Sequence, residues 1–375
     1  MVKVDRILIV GGGIGGLSLA TALRLQGFKP ELIERNTTWP EIGAGINLPA
    51  NGVRVLRALG VGEAAHRTSE DIRSWGFFDE QGELLCKTDL VDLWREVGPS
   101  VGITRVRLQD ALLTGASSVP HRLGVSLKHL MQDDEGVSVS FSDGTSGFYD
   151  LVVGADGIHS IVREVGIKHS PPSFAGMVVW RSLISTRPQR VVDFMTFMGE
   201  GRIFGVVPMG EGYTYGFGLV ESARFEDPLE GRLERFRSRF EGFGGPVPEY
   251  LDALERDEQL HFGPIEWVEL DEWHKGRVVL IGDAAHAGPP HMGEGGCMAM
   301  EDSLVLAEVL RNADNLQKAM EAYVRRRQPR AGWVQEQSRA AAKAWVLPVA
   351  VRNATLRERG DQMFRARYTP LIPPP

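Results

Sequence analysis

The chain has 375 residues, 43% hydrophobic and 24% charged, with a formal net charge of −7. This composition is ordinary for a globular enzyme and leaves room for more than one packed core. No apolar run is long enough to cross a bilayer, no basic leader suggests a signal peptide, and no basic run suggests a nucleic-acid partner. Two cysteines, Cys86 and Cys297, cannot form a disulfide framework or a four-cysteine zinc site, so we expect a cytoplasmic protein without a metal centre.

The predicted elements begin with a βαβ unit. A β-branched run over 6–10 predicts a buried strand, apolar residues at helical spacing over 17–25 predict a helix, and a second strand follows over 30–34. Beyond this unit we predict a helix over 49–59, a hairpin over 74–88, a helix over 105–113, two strands within 125–141 and a buried strand over 151–153.

Residues 173–262 change character. Alternating strands separated by glycine-rich turns predict an antiparallel sheet over 178–184, 193–198, 202–208 and 213–220. A helical stretch over 228–257, interrupted at 242–248, follows. A buried strand over 278–281, a helix over 298–310 and a mostly helical region from Leu316 then restore the α/β pattern. The return of this pattern predicts two domains that interleave along the chain.

A glycine cluster lies between the first strand and the first helix. Gly11, Gly13 and Gly16 fit the G-x-G-x-x-G fingerprint, in which glycine permits the tight turn, the approach of a pyrophosphate and close helix packing. Glu34 ends the second strand, where a carboxylate accepts ribose hydroxyls and repels a 2′-phosphate. A lone fingerprint is also compatible with a flexible turn. Its position between strand and helix, completed by the acid, favours a tightly bound dinucleotide of the FAD or NAD type.

Two further turns place an acid after a buried strand. Gly154-Ala155-Asp156-Gly157 follows the strand over 151–153, and Gly282-Asp283-Ala284-Ala285-His286 follows the strand over 278–281. Taken singly, each favours a strand-ending turn with a helix N-cap. Ligands of open α/β sheets, however, collect at the carboxyl ends of the strands, where both acids fall.

Together these motifs resemble the class A flavoprotein monooxygenases, the single-component aromatic hydroxylases of the para-hydroxybenzoate and salicylate hydroxylase type. The resemblance covers nearly the whole chain and includes Arg105-x-x-Leu108-Gln109-x-x-Leu112 and Pro289-Pro290-His291-Met292-Gly293-Glu294-Gly295-Gly296. It implies an α/β fold in which a Rossmann-like FAD-binding domain interleaves with an antiparallel-sheet substrate domain. We assign 1–72, 98–172 and 263–330 to the FAD-binding domain, 73–97 and 173–262 to the substrate domain, and 331–375 to a C-terminal helical segment.

The resemblance also implies a set of FAD-binding residues. The first glycines and Arg105 would lie near the phosphates, Glu34 near the adenosine, and Asp283 at the ribityl hydroxyls. The loop over 293–297 would direct the N–H groups of a helix N-terminus at the negative edge of reduced flavin. The complete set is Gly11, Gly13, Gly15, Gly16, Glu34, Arg35, Arg105, Leu130, Asp156, Asp283, Pro290, Gly293, Gly295, Gly296 and Cys297.

Two positions depart from the usual loop of this family, which has Gln at the place of Glu294 and commonly Asn at the place of Cys297. Glu294 puts a potential negative charge beside a site that is expected to stabilise an anion. The sequence leaves open whether this side chain points away or is protonated.

The activity implied by the resemblance is hydroxylation of an electron-rich aromatic or heteroaromatic small molecule with O2, through a flavin C4a-hydroperoxide. The resemblance also implies that NADH or NADPH binds only transiently, and the lack of a second G-x-G-x-x-G after a strand is consistent with this. A flavin halogenase is disfavoured by the absence of W-x-W. A reductase and a non-enzymatic FAD-fold protein are further alternatives. We expect the protein to be a monomer or a homodimer.

Four side chains are candidates for the substrate site. Tyr215 lies on a predicted strand, and Arg181 and Arg202 could bind a substrate carboxylate or oxyanion by bidentate contact. His291 follows a proline pair at the expected flavin wall and is a candidate proton-handling base. A strand aromatic, surface arginines and an exposed loop histidine are the ordinary alternatives, and His286 is interpreted as structural.

Overall fold

The computed structural model describes residues 4–39 and 44–375. In these ranges the strands are β1 (Ile7–Val10), β2 (Pro30–Glu34), β3 (Gly45–Leu48), β4 (Ser69–Ile72), β5 (Ser74–Asp79), β6 (Leu84–Asp89), β7 (Ser100–Thr104), β8 (His121–Leu123), β9 (Leu127–Gln132), β10 (Val137–Phe141), β11 (Ser146–Tyr149), β12 (Leu151–Gly154), β13 (Ser173–Ile184), β14 (Phe194–Met198), β15 (Arg202–Pro208), β16 (Thr214–Glu221), β17 (His261–Trp267), β18 (His274–Lys275) and β19 (Val278–Leu280).

The helices in the same ranges are α1 (Ile14–Leu25), α2 (Ala50–Ala58), α3 (Gly62–His66), α4 (Leu90–Leu93), α5 (Arg105–Gly115), α6 (Arg232–Phe240), α7 (Val247–Asp252), α8 (Asp283–His286), α9 (Gly295–Asn312), α10 (Leu316–Trp345) and α11 (Val349–Tyr368). The helical stretch predicted over 228–257 is therefore two short helices, and α9 begins three residues earlier than predicted.

A six-stranded sheet carries the glycine-rich loop and the two acidic turns predicted from the sequence. Its order is β18-β19-β12-β1-β2-β8, and every neighbouring pair except β18–β19 is parallel. All four residues of β1 are buried, as its continuous apolar sequence requires in a sheet covered on both faces. The loops after β1, β12 and β19 consequently meet at one carboxyl edge, which confirms the predicted α/β architecture.

A seven-stranded sheet forms the opposite side of the molecule. Its order is β17-β13-β16-β15-β14-β5-β6, and its pairs are antiparallel except β14–β5. The hairpin of β5 and β6 joins this sheet across a long stretch of sequence. Strand β17 runs to Trp267 and so crosses the domain boundary that we expected at 262/263.

The period of two along these strands separates two different faces. Trp180 and Phe204 lie in a core with Phe236, Phe240 and Tyr250 of α6 and α7. On β16, a Cβ at Gly216 would lie 2.3 Å from the Tyr250 ring, and a Cβ at Gly218 would lie 2.5 Å from the Phe240 ring. Only glycine fits at these positions, and the intervening odd-numbered side chains project from the other face.

The C-terminal helices close the molecule against both parts. Helix α10 packs on α9, where its buried Arg327 pairs with Glu301 and Asp302, and α11 packs on β6. The region from Leu316, which the sequence predicted to be mostly helical, forms α10 and α11. Among the described residues, no helix combines the length and apolarity that crossing a bilayer requires.

Candidate active site

A cavity of about 530 Å³ lies between the two large sheets. Its volume is in the usual range for small-molecule and cofactor sites. The loops at the carboxyl edge of the parallel sheet line one side, β13 and β16 line another, and α10 lines a third. Eleven of the predicted site residues line this cavity: Gly13, Gly15, Arg105, Arg181, Tyr215, Asp283, Pro290, His291, Gly293, Gly295 and Gly296.

The glycine-rich loop combines packing positions with open ones. Gly11 has a φ of 109°, and a Cβ there would lie 2.4 Å from the Ala155 carbonyl oxygen. A Cβ at Gly16 would lie 1.8 Å from the Gly11 carbonyl oxygen. Gly11 and Gly16 therefore allow the chain to fold at this point but do not line the cavity. A Cβ at Gly13, in contrast, would meet nothing within 4 Å, so space for a ligand is left beside it.

Glu34 lies behind this loop, with its carboxylate fixed by local donors. Its Oε2 accepts the Gly12 N–H at 2.8 Å, and its Oε1 accepts the backbone and side-chain N–H groups of Asn36 at 2.9 and 2.8 Å. Oε2 retains a lone pair, so acceptance from a ribose hydroxyl is still possible. The neighbouring Arg35 is exposed and does not line the cavity.

Two of the predicted cofactor residues occupy structural positions. Asp156 accepts hydrogen bonds from the Ser160 hydroxyl at 2.5 Å and from the N–H groups of Ile161 and Val162 at 2.8 and 3.1 Å. It therefore caps the turn after β12 and does not line the cavity. Leu130 pairs with Val139 at the edge of a separate three-stranded sheet, also away from the lining.

Asp283 lines the cavity just after β19. Burial raises its pKa, and the nearby charges of His286 and Arg105 oppose that shift. The turn that presents Asp283 is held by Asp302, whose Oδ2 accepts the Gly282 N–H at 2.9 Å and lies 2.6 Å from His286 Nε2. His286 is thus engaged structurally, as predicted, although its ring also borders the cavity.

The N-terminus of α9 opens into the cavity through glycines. Gly293 has a φ of 65°, and hypothetical Cβ atoms at Gly295 and Gly296 have no neighbour closer than 3.6 Å. No side chain caps this 18-residue helix, so its first N–H groups remain available to an anionic ligand. The Cys297 sulfur instead points at α2, 2.6 Å from where a Cβ at Gly52 would lie. Its side chain therefore faces away from the cavity.

The substrate-domain wall consists of side chains from the cavity face of the sheet. Tyr215 is 9% exposed, and its hydroxyl faces the Arg181 guanidinium. Burial raises the pKa of Tyr215, with Arg181 acting in the opposite direction, so the phenol is protonated at neutral pH. Trp75, Phe194 and Phe217 form an aromatic wall around this pair.

Arg181 carries an unneutralised charge. Within residues 4–39 and 44–375, no carboxylate oxygen lies within 4 Å of its guanidinium. A guanidinium at a largely apolar wall without a protein counter-ion is suited to bind an anionic group of a ligand.

Arg202 does not reach the cavity, and this corrects our expectation for it. Its guanidinium pairs with Glu80, donates to the Arg239 carbonyl at 2.5 Å and lies over the Phe243 ring. The reason is the strand period: Arg202 shares its face with Phe204, whereas the cavity face carries the odd-numbered residues of β15.

His291 is buried at the cavity wall, and the centroid of its ring lies 4.4 Å from that of the Trp345 ring. Neither of its ring nitrogens has a hydrogen-bond partner within the described part of the chain. Burial, together with the charge of Arg367, lowers its pKa to about 3, so the imidazole is neutral at pH 7 and has one free acceptor nitrogen. Such an orphaned polar ring points to a ligand that completes its hydrogen bonding.

Three lining residues carried no local signal in the sequence. Asn47 on β3 has a buried side-chain oxygen without a partner among the described residues, and Trp75 and Trp345 come from β5 and the end of α10. A polar residue in a short strand and two scattered tryptophans look like ordinary core residues until the tertiary fold brings them together.

The residues present fit FAD. Open glycines, an uncapped helix N-terminus, Asp283 and Arg105 offer N–H donors, an acid and a cation along one continuous cavity. Orphaned polar atoms on Asn47 and His291 border the same space. A flavin dinucleotide supplies the hydroxyl acceptors, phosphates and carbonyl edge that these groups would bind.

Comparison with known proteins settles the family. A family model described as "FAD binding domain" matches residues 4–338. The chain belongs to this FAD-binding family. Aurachin C monooxygenase/isomerase of Stigmatella aurantiaca is 34% identical over 320 residues, which are 84% of this chain and 83% of that protein. FAD-dependent urate hydroxylase of Mycolicibacterium vanbaalenii is 32% identical over 339 residues, 87% and 85% of the two chains.

Among solved structures, Klebsiella pneumoniae HpxO complexed with FAD and uric acid superposes with a TM-score of 0.89 and 29% identity, over 98% of this chain and 96% of that one. The predicted family, fold and FAD cofactor are therefore confirmed. This member of the FAD-binding family is an FAD-dependent monooxygenase of the aromatic hydroxylase type, with NAD(P)H as the reductant typical of its class.

Proposed function

We propose that the substrate is a small aromatic or heteroaromatic ring that carries an acidic O–H or N–H and binds with that group against Arg181. The observation that carries this proposal is the unneutralised Arg181 guanidinium beside the Tyr215 hydroxyl, within an aromatic wall of the same cavity that the FAD loops line. Bound FAD supplies the activated oxygen of the reaction. The protein's part is to position the ring, to exclude water and to control one proton.

Each of the three polar groups has a distinct task in this proposal. Arg181 binds the developing or resident negative charge of the ring and favours its deprotonated form. Tyr215, protonated at neutral pH, donates a hydrogen bond to the same group or to a neighbouring oxygen. His291 borders the same cavity with a free acceptor nitrogen and accepts a hydrogen bond from the acidic group, which orients the ring.

Deprotonation matters because an electron-rich ring is the nucleophile in an aromatic hydroxylation. A phenolate or ring-nitrogen anion donates electrons more readily than its neutral form, so a cation that stabilises the anion also promotes the chemical step. The similar proteins act on urate and aurachin C according to their names, and urate is an anionic heteroaromatic ring. Their substrates support the proposed class without identifying the compound.

The test is a substrate panel on the purified, flavin-loaded protein. Urate, a 4-hydroxyquinolone, salicylate and 3-amino-4-hydroxybenzoate would each be scored with NADH and with NADPH. The readouts are stimulated reductant oxidation and a product mass raised by one oxygen. We expect stimulation by at least one compound with an acidic O–H or N–H and none by its O-methylated or N-methylated analogue. Equal stimulation by the methylated analogue would refute the anion-binding role of this wall.

We further propose that the protein works in the cytoplasm as a monomer or homodimer. Both described cysteines are free thiols, one of them fully buried, which suits a reducing compartment. Light scattering coupled to size-exclusion chromatography would give the mass of the particle, and a trimer or larger assembly would contradict the proposal.

A further inference from the structure

We propose that Glu294 is a positioning residue, held uncharged at the N-terminus of the helix that faces FAD, and that its ionisation lowers the reduction potential of the bound cofactor. The inference requires bound FAD but not the substrate proposed above, so the two proposals can fail separately.

Glu294 occupies a special position at the junction of loop and helix. It is the N-cap residue of α9, borders the cavity and is only 1% exposed. Its Oε2 accepts a hydrogen bond from Asn51 Nδ2 at 2.9 Å. Its Oε1 is buried and has no hydrogen-bond partner in residues 4–39 and 44–375. A fully ionised carboxylate in such a place would leave strong acceptor capacity unused.

The cations near Glu294 are committed to a second acid. Glu301 lies about two turns further along α9. It pairs with Arg327 and Arg330, each at 2.7 Å, and Arg54 lies 3.8 Å from it. Asn51 donates to Glu301 as well, at 3.3 Å. No lysine or arginine nitrogen of the described chain lies within 4 Å of the Glu294 carboxyl group. Arg327 also pairs with Asp302 at 2.7 Å, so these guanidinium groups are engaged by Glu301 and Asp302, and an ionised Glu294 would have no ion pair to offset the cost of its burial.

The pKa values of the surrounding groups agree with this arrangement. Burial raises the pKa of Glu294 to about 8 and the charge of Glu301 adds to this shift, whereas the hydrogen bond from Asn51 and the charge of Arg330 oppose it. Burial also raises the pKa of Cys297 and of Tyr368 well above their usual values. Neither thiol nor phenol is ionised near neutral pH, which leaves Glu294 as the group in this cluster that titrates there.

The consequence follows from the direction of α9. Its uncapped N-terminus presents a positive partial charge to the cavity, which favours a cofactor that becomes anionic on reduction. A carboxylate at the N-cap would cancel that partial charge in a buried site where salt screens poorly. Because linkage is reciprocal, reduction of FAD must in turn raise the proton affinity of Glu294.

The experiment measures the two-electron potential of bound FAD by spectroelectrochemistry from about pH 6 to about pH 10, a range that brackets the Glu294 pKa of about 8. The proteins compared are wild type, Glu294→Gln and Glu308→Gln. Glu308→Gln is the matched control, because it makes the same change on an exposed position of the same helix. We expect the potential of the wild type to fall more steeply with pH than that of Glu294→Gln near the Glu294 pKa.

If reduction by two electrons takes up one extra proton, the equilibrium constant for reduction of FAD changes by a further factor of ten per pH unit. The reduction potential then falls by about 30 mV more per pH unit. Glu308→Gln should follow the wild type. Coincident curves for wild type and Glu294→Gln would overturn the proposal, as would an equal change in both variants. If Glu294→Gln fails to retain FAD, the wild-type curve decides alone: a constant slope across the range overturns the inference, and a steeper segment near the Glu294 pKa supports it.

Discussion

The two walls of the cavity use different parts of the chain. The cofactor wall presents backbone: glycines with open Cβ positions and an uncapped helix start line the cavity, and behind them Gly11 and Gly16 stand where a Cβ would strike another peptide unit. The substrate wall presents side chains that alternate along β13 and β16, with Arg181 and Tyr215 facing the cavity and Trp180 and Gly216 facing the core.

This difference explains why one wall is recognisable in a sequence and the other is not. Backbone recognition restricts residue type severely, since only glycine permits the close contacts, and the restriction appears as a motif. Side-chain recognition restricts only which strand positions face inward, and many residue types satisfy it. The variants below test this division, from the largest expected effect to the smallest.

The largest effect is expected at the cofactor wall, from Gly16→Ala. The new Cβ would lie 1.8 Å from the Gly11 carbonyl oxygen, so β1 and α1 cannot keep their packing. We expect loss of bound flavin and of thermal stability, read from the absorbance spectrum and a melting curve. Gly13→Ala is the comparison, because its Cβ meets nothing within 4 Å. It should keep the melting temperature of the flavin-free protein while weakening FAD binding. A Gly16→Ala protein that is stable and retains its flavin would contradict the packing role assigned to Gly16.

His291→Asn tests the hydrogen-bond acceptor at the cavity wall. We expect kcat to fall about 100-fold if this hydrogen bond holds the substrate ring in its reactive orientation. The substitution also has a pH signature. A histidine whose native pKa of about 3 lies below its unfolded value takes up a proton on unfolding, so stability falls as pH falls below the unfolded pKa.

At about pH 5 the uptake of this proton lowers the free energy of unfolding of the wild type by about 2 kcal/mol. Urea unfolding at pH 7 and pH 5 should therefore show a smaller acid loss in His291→Asn than in the wild type. Equal losses in the two proteins would show that His291 is not held neutral.

Arg181→Gln and Arg202→Gln separate the two faces of the substrate sheet. Removing the cavity-facing charge should lower kcat/KM about 10- to 100-fold, the effect of losing a charged hydrogen bond. Arg202 pairs with Glu80 on the other face, so its variant should keep KM and lose a little stability. Steady-state kinetics with the best substrate of the panel give the comparison. A larger kinetic loss for Arg202→Gln would reverse our assignment.

Tyr215→Phe should have the smallest effect, about two- to tenfold in kcat/KM, because one neutral hydrogen bond is lost. Burial raises the pKa of Tyr215, so its ionisation should not appear in the pH–rate profile between about pH 6 and pH 9. Tyr250→Phe is the partner variant on the core face, where the hydroxyl bonds to Ser182 at 2.9 Å. It should lower stability and leave the rate unchanged. A shifted profile in Tyr215→Phe would assign Tyr215 a proton-transfer role.

Sequence reasoning was most reliable for elements whose residues are restricted by their neighbours in the chain. The strand–glycine–helix pattern at Gly11 and the acids after two buried strands predicted one carboxyl edge, and the structure places the three loops there. Asp156 shows the limit of such reasoning: the motif is real, but its carboxylate caps a local turn. Arg202 shows a second limit. The sequence indicates which strand residues share a face, but it does not indicate which of the two faces borders the cavity.

From the sequence alone came the α/β class and the dinucleotide loop, because local sterics and strand burial restrict residue type within a few positions. The FAD-dependent hydroxylase family came from the resemblance of three separated motifs to that family. Only the tertiary structure decided that Arg181 faces the cavity, that His291 is buried without partners, and that Glu294 lies among cations already paired with Glu301. Orientation, burial and charge balance depend on residues hundreds of positions apart, and no local pattern records them.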